Sequence, residues 1–93
     1  MDKKIARTAS AGTVESSDCL VTVSPSEIFL FEYSGPNSTA FKKRTDTLVR
    51  TTLEQYGIKQ ASITIQDQGA LEMTVRARLA VALERATETT NEE

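Results

Sequence analysis

Two adjacent serines, Ser16 and Ser17, lie between Glu15 and Asp18 in a segment rich in small polar residues. Small polar residues favour an exposed, mobile backbone, so a hydroxyl group in this segment is accessible to another enzyme. The chain has no histidine, and we identify no base that would activate Ser16 as a nucleophile toward a substrate. Composition alone favours a solvated loop that leads into a strand. The functional alternative is covalent modification of a serine by a partner enzyme, which needs no base within the chain.

Other reactive side chains are scarce. The single cysteine, Cys19, excludes an internal disulfide and is compatible with a reducing, cytoplasmic location. One cysteine without histidine cannot build a Cys/His zinc site, a Ser-His-Asp triad or a Cys-His pair within the chain. We therefore predict no catalytic residue and no metal ligand. Cys19 opens a predicted strand, which favours a role in core packing.

Length and composition set limits on the fold and on the class of partner. A chain of 93 residues with 39% apolar and 26% charged residues is typical of one small globular domain, which favours a carrier or binding module over an independent enzyme. The net charge of −2 argues against a nucleic-acid partner. No apolar stretch approaches the ~20 residues of a membrane span, and the N-terminus does not read as a secretory signal. We predict no membrane partner.

The hydrophobic pattern predicts three strands and two helices. Short β-branched or alternating stretches predict strands at residues 19–24, 28–33 and 61–66. Apolar residues at spacings of three and four predict a first helix that begins at Asn37 or Ser38 and is closed by Gly57. A second helix is predicted from about residue 70 to residue 86, and Leu71 is included in its inner face.

These elements predict an α+β fold, with a small three- or four-stranded sheet and two helices packed on one face. We expect the first two strands to form an antiparallel hairpin. The link through the first helix is long enough for a right-handed crossover to the third strand. We predict a flexible N-terminal segment at residues 1–18, a single domain at residues 19–86 and a frayed polar tail at residues 87–93.

Several charged and aromatic residues have two interpretations each. The cations Lys42, Lys43 and Arg44 form a solvated helix face or contact phosphates or an acidic partner. The Arg78 stem packs on the apolar stripe while its head reaches water or a partner subunit. The acids Glu15 and Asp18 either help a modifying enzyme recognise the serines or are ordinary loop acids.

The remaining predictions concern packing. Glu72 and Arg76 are spaced to form an ion pair on the second helix. The aromatic residues Phe29, Phe31 and Tyr33 are interpreted as core and sheet-face packing rather than as a ligand platform.

Four motifs, in order, resemble the citrate lyase acyl carrier protein family, the gamma subunit of citrate lyase. Residues 11–18 (A-G-T-V-E-S-S-D) resemble that family's A-G-T-[LV]-E-S-[GS]-D. Residues 49–52 (V-R-T-T) resemble part of its first helix. Residues 67–72 (D-Q-G-A-L-E) resemble its D-[DK]-[KQ]-G-A-L-[DE] turn, and residues 76–79 (R-A-R-L) its R-A-R-[LV] stretch. The resemblance spans residues 11–86.

The resemblance implies a non-catalytic acyl carrier subunit. In that family the first serine of E-S-[GS]-D carries 2'-(5''-phosphoribosyl)-3'-dephospho-CoA through a phosphodiester, which implies Ser16 as the attachment residue and leaves Ser17 as the alternative. The thiol of this group holds an acetyl group, which the alpha subunit exchanges for citrate with release of acetate. The beta subunit then cleaves the citryl thioester to oxaloacetate and regenerates the acetyl thioester. Implied partners are these two subunits and the transferase that attaches the group.

Two other functions stay open. The carrier subunit of malonate decarboxylase uses the same kind of prosthetic group on a similar small protein. A small α+β binding or regulatory module without any modification is the alternative from another functional class.

Overall fold

The protein is a four-stranded sheet with two helices on one face, as described by a computed structural model for residues 3–87. The elements are β1 (Ala9–Gly12), β2 (Cys19–Ser24), β3 (Phe29–Ser34), α1 (Ser38–Tyr56), β4 (Ala61–Asp67) and α2 (Glu72–Ala86). The strand order is β1-β2-β4-β3, with β2 antiparallel to both of its neighbours and β3 parallel to β4. The predicted α+β class is confirmed, with the sheet in its four-stranded form.

The core lies between the two central strands and the helices. Along β2 and β4 buried residues alternate with half-buried ones, as expected for a sheet covered on one face. The fully buried side chains include Val21, Ile63, Ile65, Leu79 and Leu83. Burial of a side chain of this size contributes about 1.5–3 kcal/mol, so these contacts fix α2 against the sheet.

Both helices begin and end close to the predicted positions. Helix α1 ends at Gly57, whose φ of 70° is the left-handed conformation that glycine adopts most readily at a helix end. Helix α2 buries Val75 and Leu79 as expected, but the assignment of Leu71 to its inner face was wrong. Leu71 precedes the first turn in an extended conformation, and 69% of its surface is exposed.

The predicted hairpin of the first two strands was wrong. Strands β2 and β3 run in opposite directions, but β4 lies between them and pairs with both. The central position places Ile63 and Ile65 of β4 under the helices, whereas Phe29 and Phe31 of the edge strand β3 remain half-buried against the core. This confirms the packing role predicted for the aromatic residues of β3.

Strand β1 lies inside the segment that we predicted to be flexible. It pairs with β2 in register from Ala9↔Val23 to Gly12↔Leu20, and Ala11 is buried. Residues 1, 2 and 88–93, and with them most of the predicted frayed tail, lie outside the described residues. Between residues 3 and 87 neither helix is long and apolar enough to cross a membrane.

Candidate functional site

Ser16 lies in the loop of residues 13–18 that joins β1 to β2. The loop turns tightly at Ser16 and Ser17, and both residues are exposed. Within residues 3–87 the Ser16 hydroxyl has no hydrogen-bond partner. The oxygen is therefore accessible and is not committed to another interaction.

Ser17 differs from Ser16 in its backbone conformation. Its φ is 67°, a left-handed value that glycine adopts readily and other residues do not. Its N–H donates to the carbonyl oxygen of Gln68 at 2.8 Å, and the Gln68 N–H donates to the carbonyl oxygen of Asp18 at 2.8 Å. Two main-chain bonds thus hold the loop against the turn that follows β4.

Asp18 organises the rest of the loop. Its carboxylate accepts hydrogen bonds from the Thr13 hydroxyl at 2.8 Å and from the Cys19 N–H at 2.7 Å. The Arg78 guanidinium donates to both carboxylate oxygens at 3.1 Å. Arg78, the Cys19 N–H and Thr13 lower the pKa of Asp18 to about 2. Arg78, predicted to reach water or a partner, instead ties α2 to the serine loop.

The loop starts from a position that requires glycine. Gly12 has a φ of 98°, and a Cβ atom there would lie 1.9 Å from the carbonyl oxygen of Cys19. The two strands therefore approach too closely for any side chain. This requirement was missed in the sequence, where the only signal was a single glycine between a small-residue stretch and the serines.

A second acid supports the turn to which the loop is bonded. Asp67 is buried, and its Oδ1 accepts hydrogen bonds from the N–H groups of Gly69 at 3.0 Å and Ala70 at 2.8 Å. Its Oδ2 accepts a hydrogen bond from the Tyr33 hydroxyl at 2.6 Å. An Asp followed by Gly two residues later is a sequence signal for such a turn.

Cys19 is not available for chemistry at the surface. The residue is fully buried, which confirms its predicted place in the core. Burial, then the charges of Asp67 and Asp18, raises the pKa of the thiol to about 11. The reactive thiolate is therefore scarce at neutral pH.

The remaining predicted residues lie on the two helices. Lys42 and Lys43 are exposed on α1, while the Arg44 guanidinium lies 4.1 Å above the Phe41 ring and 3.9 Å from Glu72. The predicted ion pair of Glu72 with Arg76 is confirmed at 3.4 Å.

Comparison with known proteins decides the family. A family model described as malonate decarboxylase delta subunit (MdcD), an acyl carrier protein, matches residues 6–86. The citrate lyase acyl carrier protein of Halothermothrix orenii is 42% identical over 84 residues, which cover 89% of each chain. That of Treponema denticola is 36% identical and covers 91% of this chain and 98% of its own. The chain belongs to the citrate lyase acyl carrier protein family.

A solved structure shares the fold of this family member. A chain in the crystal structure of a Pseudomonas malonate decarboxylase hetero-tetramer in complex with malonate superposes with a TM-score of 0.69. The match covers 91% of this chain and 89% of that one at 24% sequence identity. At this level of identity the similarity establishes the arrangement of strands and helices.

Proposed function

We propose that the chain is the acyl carrier subunit of citrate lyase and that Ser16 carries 2'-(5''-phosphoribosyl)-3'-dephospho-CoA through a phosphodiester. The observation that carries this proposal is the free, exposed Ser16 hydroxyl in the loop of a citrate lyase acyl carrier protein family member. Ser17 is the weaker candidate because its backbone holds a strained conformation and bonds to Gln68.

The residues around Ser16 fit an attachment site. The hydroxyl lies in a turn that projects beyond the sheet, and the Asp18 carboxylate is engaged by Arg78. A modifying enzyme can therefore approach Ser16 while the strands on both sides stay paired. The chain's own task is to present the residue, because the transferase supplies the chemistry of attachment.

When bound, the prosthetic group supplies a thiol at the end of a long arm. A flexible tether keeps this thiol near two catalytic sites at an effective concentration on the order of millimolar. The proposed partners are the alpha subunit (acetyl/citrate transferase) and the beta subunit (citryl lyase), together with the transferase that loads Ser16. In this proposal the carrier contributes no catalytic residue of its own.

Intact mass spectrometry of protein from the native host tests the assignment. We expect the mass of the sequence plus one phosphoribosyl-dephospho-CoA group, mapped to the peptide that contains Ser16. Ser16→Ala removes the added mass, whereas Ser17→Ala, the matched control at the neighbouring hydroxyl, retains it. Full loading of Ser16→Ala would exclude Ser16, and an unmodified native protein would favour the unmodified binding module.

The carrier subunit of malonate decarboxylase is the second candidate. The description of the matching family model favours it. Identities of 36–42% to citrate lyase acyl carrier proteins favour the first candidate. Reconstitution of the loaded carrier with each set of partner subunits distinguishes the two candidates. We expect the carrier to support turnover with the citrate lyase subunits and not with the malonate decarboxylase subunits.

A further inference from the structure

A surface cavity of about 240 Å³ lies at the same end of the molecule as the serine loop. It is bounded by the first turns of α1 and α2 and by the turn that joins β4 to α2. Gln68, which bonds to Ser17 and Asp18, directly precedes Gly69 and Ala70 in the cavity wall. Gln68 therefore connects the serine loop to the turn that forms one wall of the cavity.

The walls of this cavity combine flat and apolar surfaces. The Arg44 guanidinium stacks 4.1 Å from the centroid of the Phe41 ring. Leu71, the residue whose exposure contradicted the sequence prediction, presents an apolar side chain that is 69% exposed. Phe41, Arg44 and Leu71 can therefore make stacking and cation–π contacts with a planar, weakly polar ring, as proteins do when they bind nucleobases.

The polar groups of the cavity favour a base over a phosphate. Asp67 also lines the cavity, and both of its carboxylate oxygens already accept hydrogen bonds. Glu72 adds a second carboxylate, 3.9 Å from Arg44. The lining residues carry two carboxylates and one guanidinium, and a second guanidinium, that of Arg76, pairs with Glu72 from outside the lining. The lining therefore has no excess of positive charge to attract a phosphate, whereas the exocyclic amine of a purine can donate to the Glu72 carboxylate.

We propose that this cavity binds the adenine base of the Ser16-linked prosthetic group, with Phe41, Arg44 and Leu71 as the stacking surface. The inference rests on the proposed function. In that group one phosphoribosyl unit joins the serine to the 2' position of the adenosine ribose. The base is therefore near the attached end, and the thiol is at the far end.

Binding of the base defines where the mobile part of the arm begins. Phe41 and Arg44 hold the nucleoside at the end of the sheet that bears Ser16, and only the pantetheine portion remains free to swing. A shorter free tether concentrates the thiol in a smaller volume, provided that it still spans the distance to each partner site.

Nuclear magnetic resonance of the apo- and holoprotein, each checked by intact mass, tests the inference. We expect amide shift changes at residues 37–44 and 69–72 on loading, and NOEs between the adenine H2 or H8 protons and the Phe41 ring. Phe41→Leu and Arg44→Gln lower the equilibrium constant for base docking by about 5- to 150-fold, the range of base–aromatic stacking. Arg44 is exposed, so its variant keeps the fold even if Phe41→Leu does not.

Helix α1 provides a matched control pair. The Arg50 guanidinium lies 4.5 Å above the Phe29 ring, and both residues line a cavity at the other end of α1. Phe29→Leu and Arg50→Gln should leave the adenine NOEs intact. A fully loaded protein without these shifts and NOEs would overturn the inference and leave the proposed function standing. A native protein without the added mass would overturn both.

Discussion

The two serines of the β1–β2 loop differ in backbone conformation and in hydrogen bonding. Within residues 3–87 neither serine hydroxyl has a hydrogen-bond partner, but Ser17 holds a φ of 67° and its N–H donates to the carbonyl oxygen of Gln68. The left-handed conformation costs an L-residue about 1–2 kcal/mol, and glycine avoids this cost. Position 17 is therefore set by backbone geometry, which agrees with the glycine or serine that the family pattern allows there.

Ser17→Gly tests this difference at the residue scale. We expect the free energy of unfolding to rise by about 0.5–1 kcal/mol, because relief of the left-handed strain exceeds the added backbone entropy of glycine. Urea denaturation measures the change, and intact mass should show loading retained. Ser16→Gly is the matched control and should lose loading without a gain in stability. An unchanged or lower stability of Ser17→Gly would refute the strain argument.

Asp18→Asn tests the ion pair that closes the loop. The pKa of Asp18 is lowered from 3.8 to about 2, so its charged form stabilises the folded state above about pH 4 and this contribution is lost as pH falls toward 2. We expect the variant to unfold at lower urea concentration than wild type at pH 7, and the difference to shrink between pH 4 and pH 2. Asp46→Asn, which removes an exposed helical pair with Arg50, controls for the loss of one surface carboxylate. A difference independent of pH would show that Asp18 acts through shape rather than charge.

At the scale of elements, the sequence predicted the helices and strands that are determined by local hydrophobic periodicity and by helix-end signals. The alternation at residues 61–66 and the Gly57 stop signal were sufficient for β4 and α1. Strand β1 reads A-S-A-G, small residues without β propensity, and is held by pairing with β2 and by the bond from Arg85 to the Ser10 carbonyl oxygen. The insertion of β4 between β2 and β3 depends on core packing between distant segments. Neither the formation of β1 nor the central position of β4 is therefore marked by a local pattern in the sequence.

Gly12→Ala and Gly69→Ala separate backbone strain from the close approach of β1 to β2. Both glycines have similar φ values, 98° and 95°, but an added Cβ at Gly69 meets no atom within 4 Å. We expect Gly69→Ala to cost about 1 kcal/mol from strain and Gly12→Ala to cost more than about 2 kcal/mol because the clash with the Cys19 carbonyl is added. Thermal or urea unfolding measures both. Equal losses would mean that β1 moves away from β2 without penalty.

At the scale of the molecule, the two ends of the sheet differ. The serine loop, the Asp67 turn and the first turns of both helices share one end. At the other end Ile5 bridges to Thr87, and Arg7 donates to the carbonyl oxygens of Arg85 and Thr87. These contacts secure the chain on both sides of the core at a distance from Ser16. The end of the sheet that bears Ser16, the proposed attachment residue, is therefore not occupied by these contacts.

Cys19 reports whether β1 and the serine loop stay joined to the core. The thiol is fully buried beside β1, and its pKa of about 11 leaves little thiolate. In the unloaded Ser16→Ala protein, which lacks the thiol of the arm, we expect Cys19 to react with a thiol reagent at pH 8 at least about a thousandfold more slowly than in urea, because reaction requires unfolding. Ser17→Gly should slow this reaction further and Gly12→Ala should accelerate it. Fast labelling of Cys19 while the amides of β4 remain protected from hydrogen exchange would contradict this expectation. It would show that residues 1–18 detach as a flexible segment and that β1 pairs with β2 only when a partner or the prosthetic group holds it.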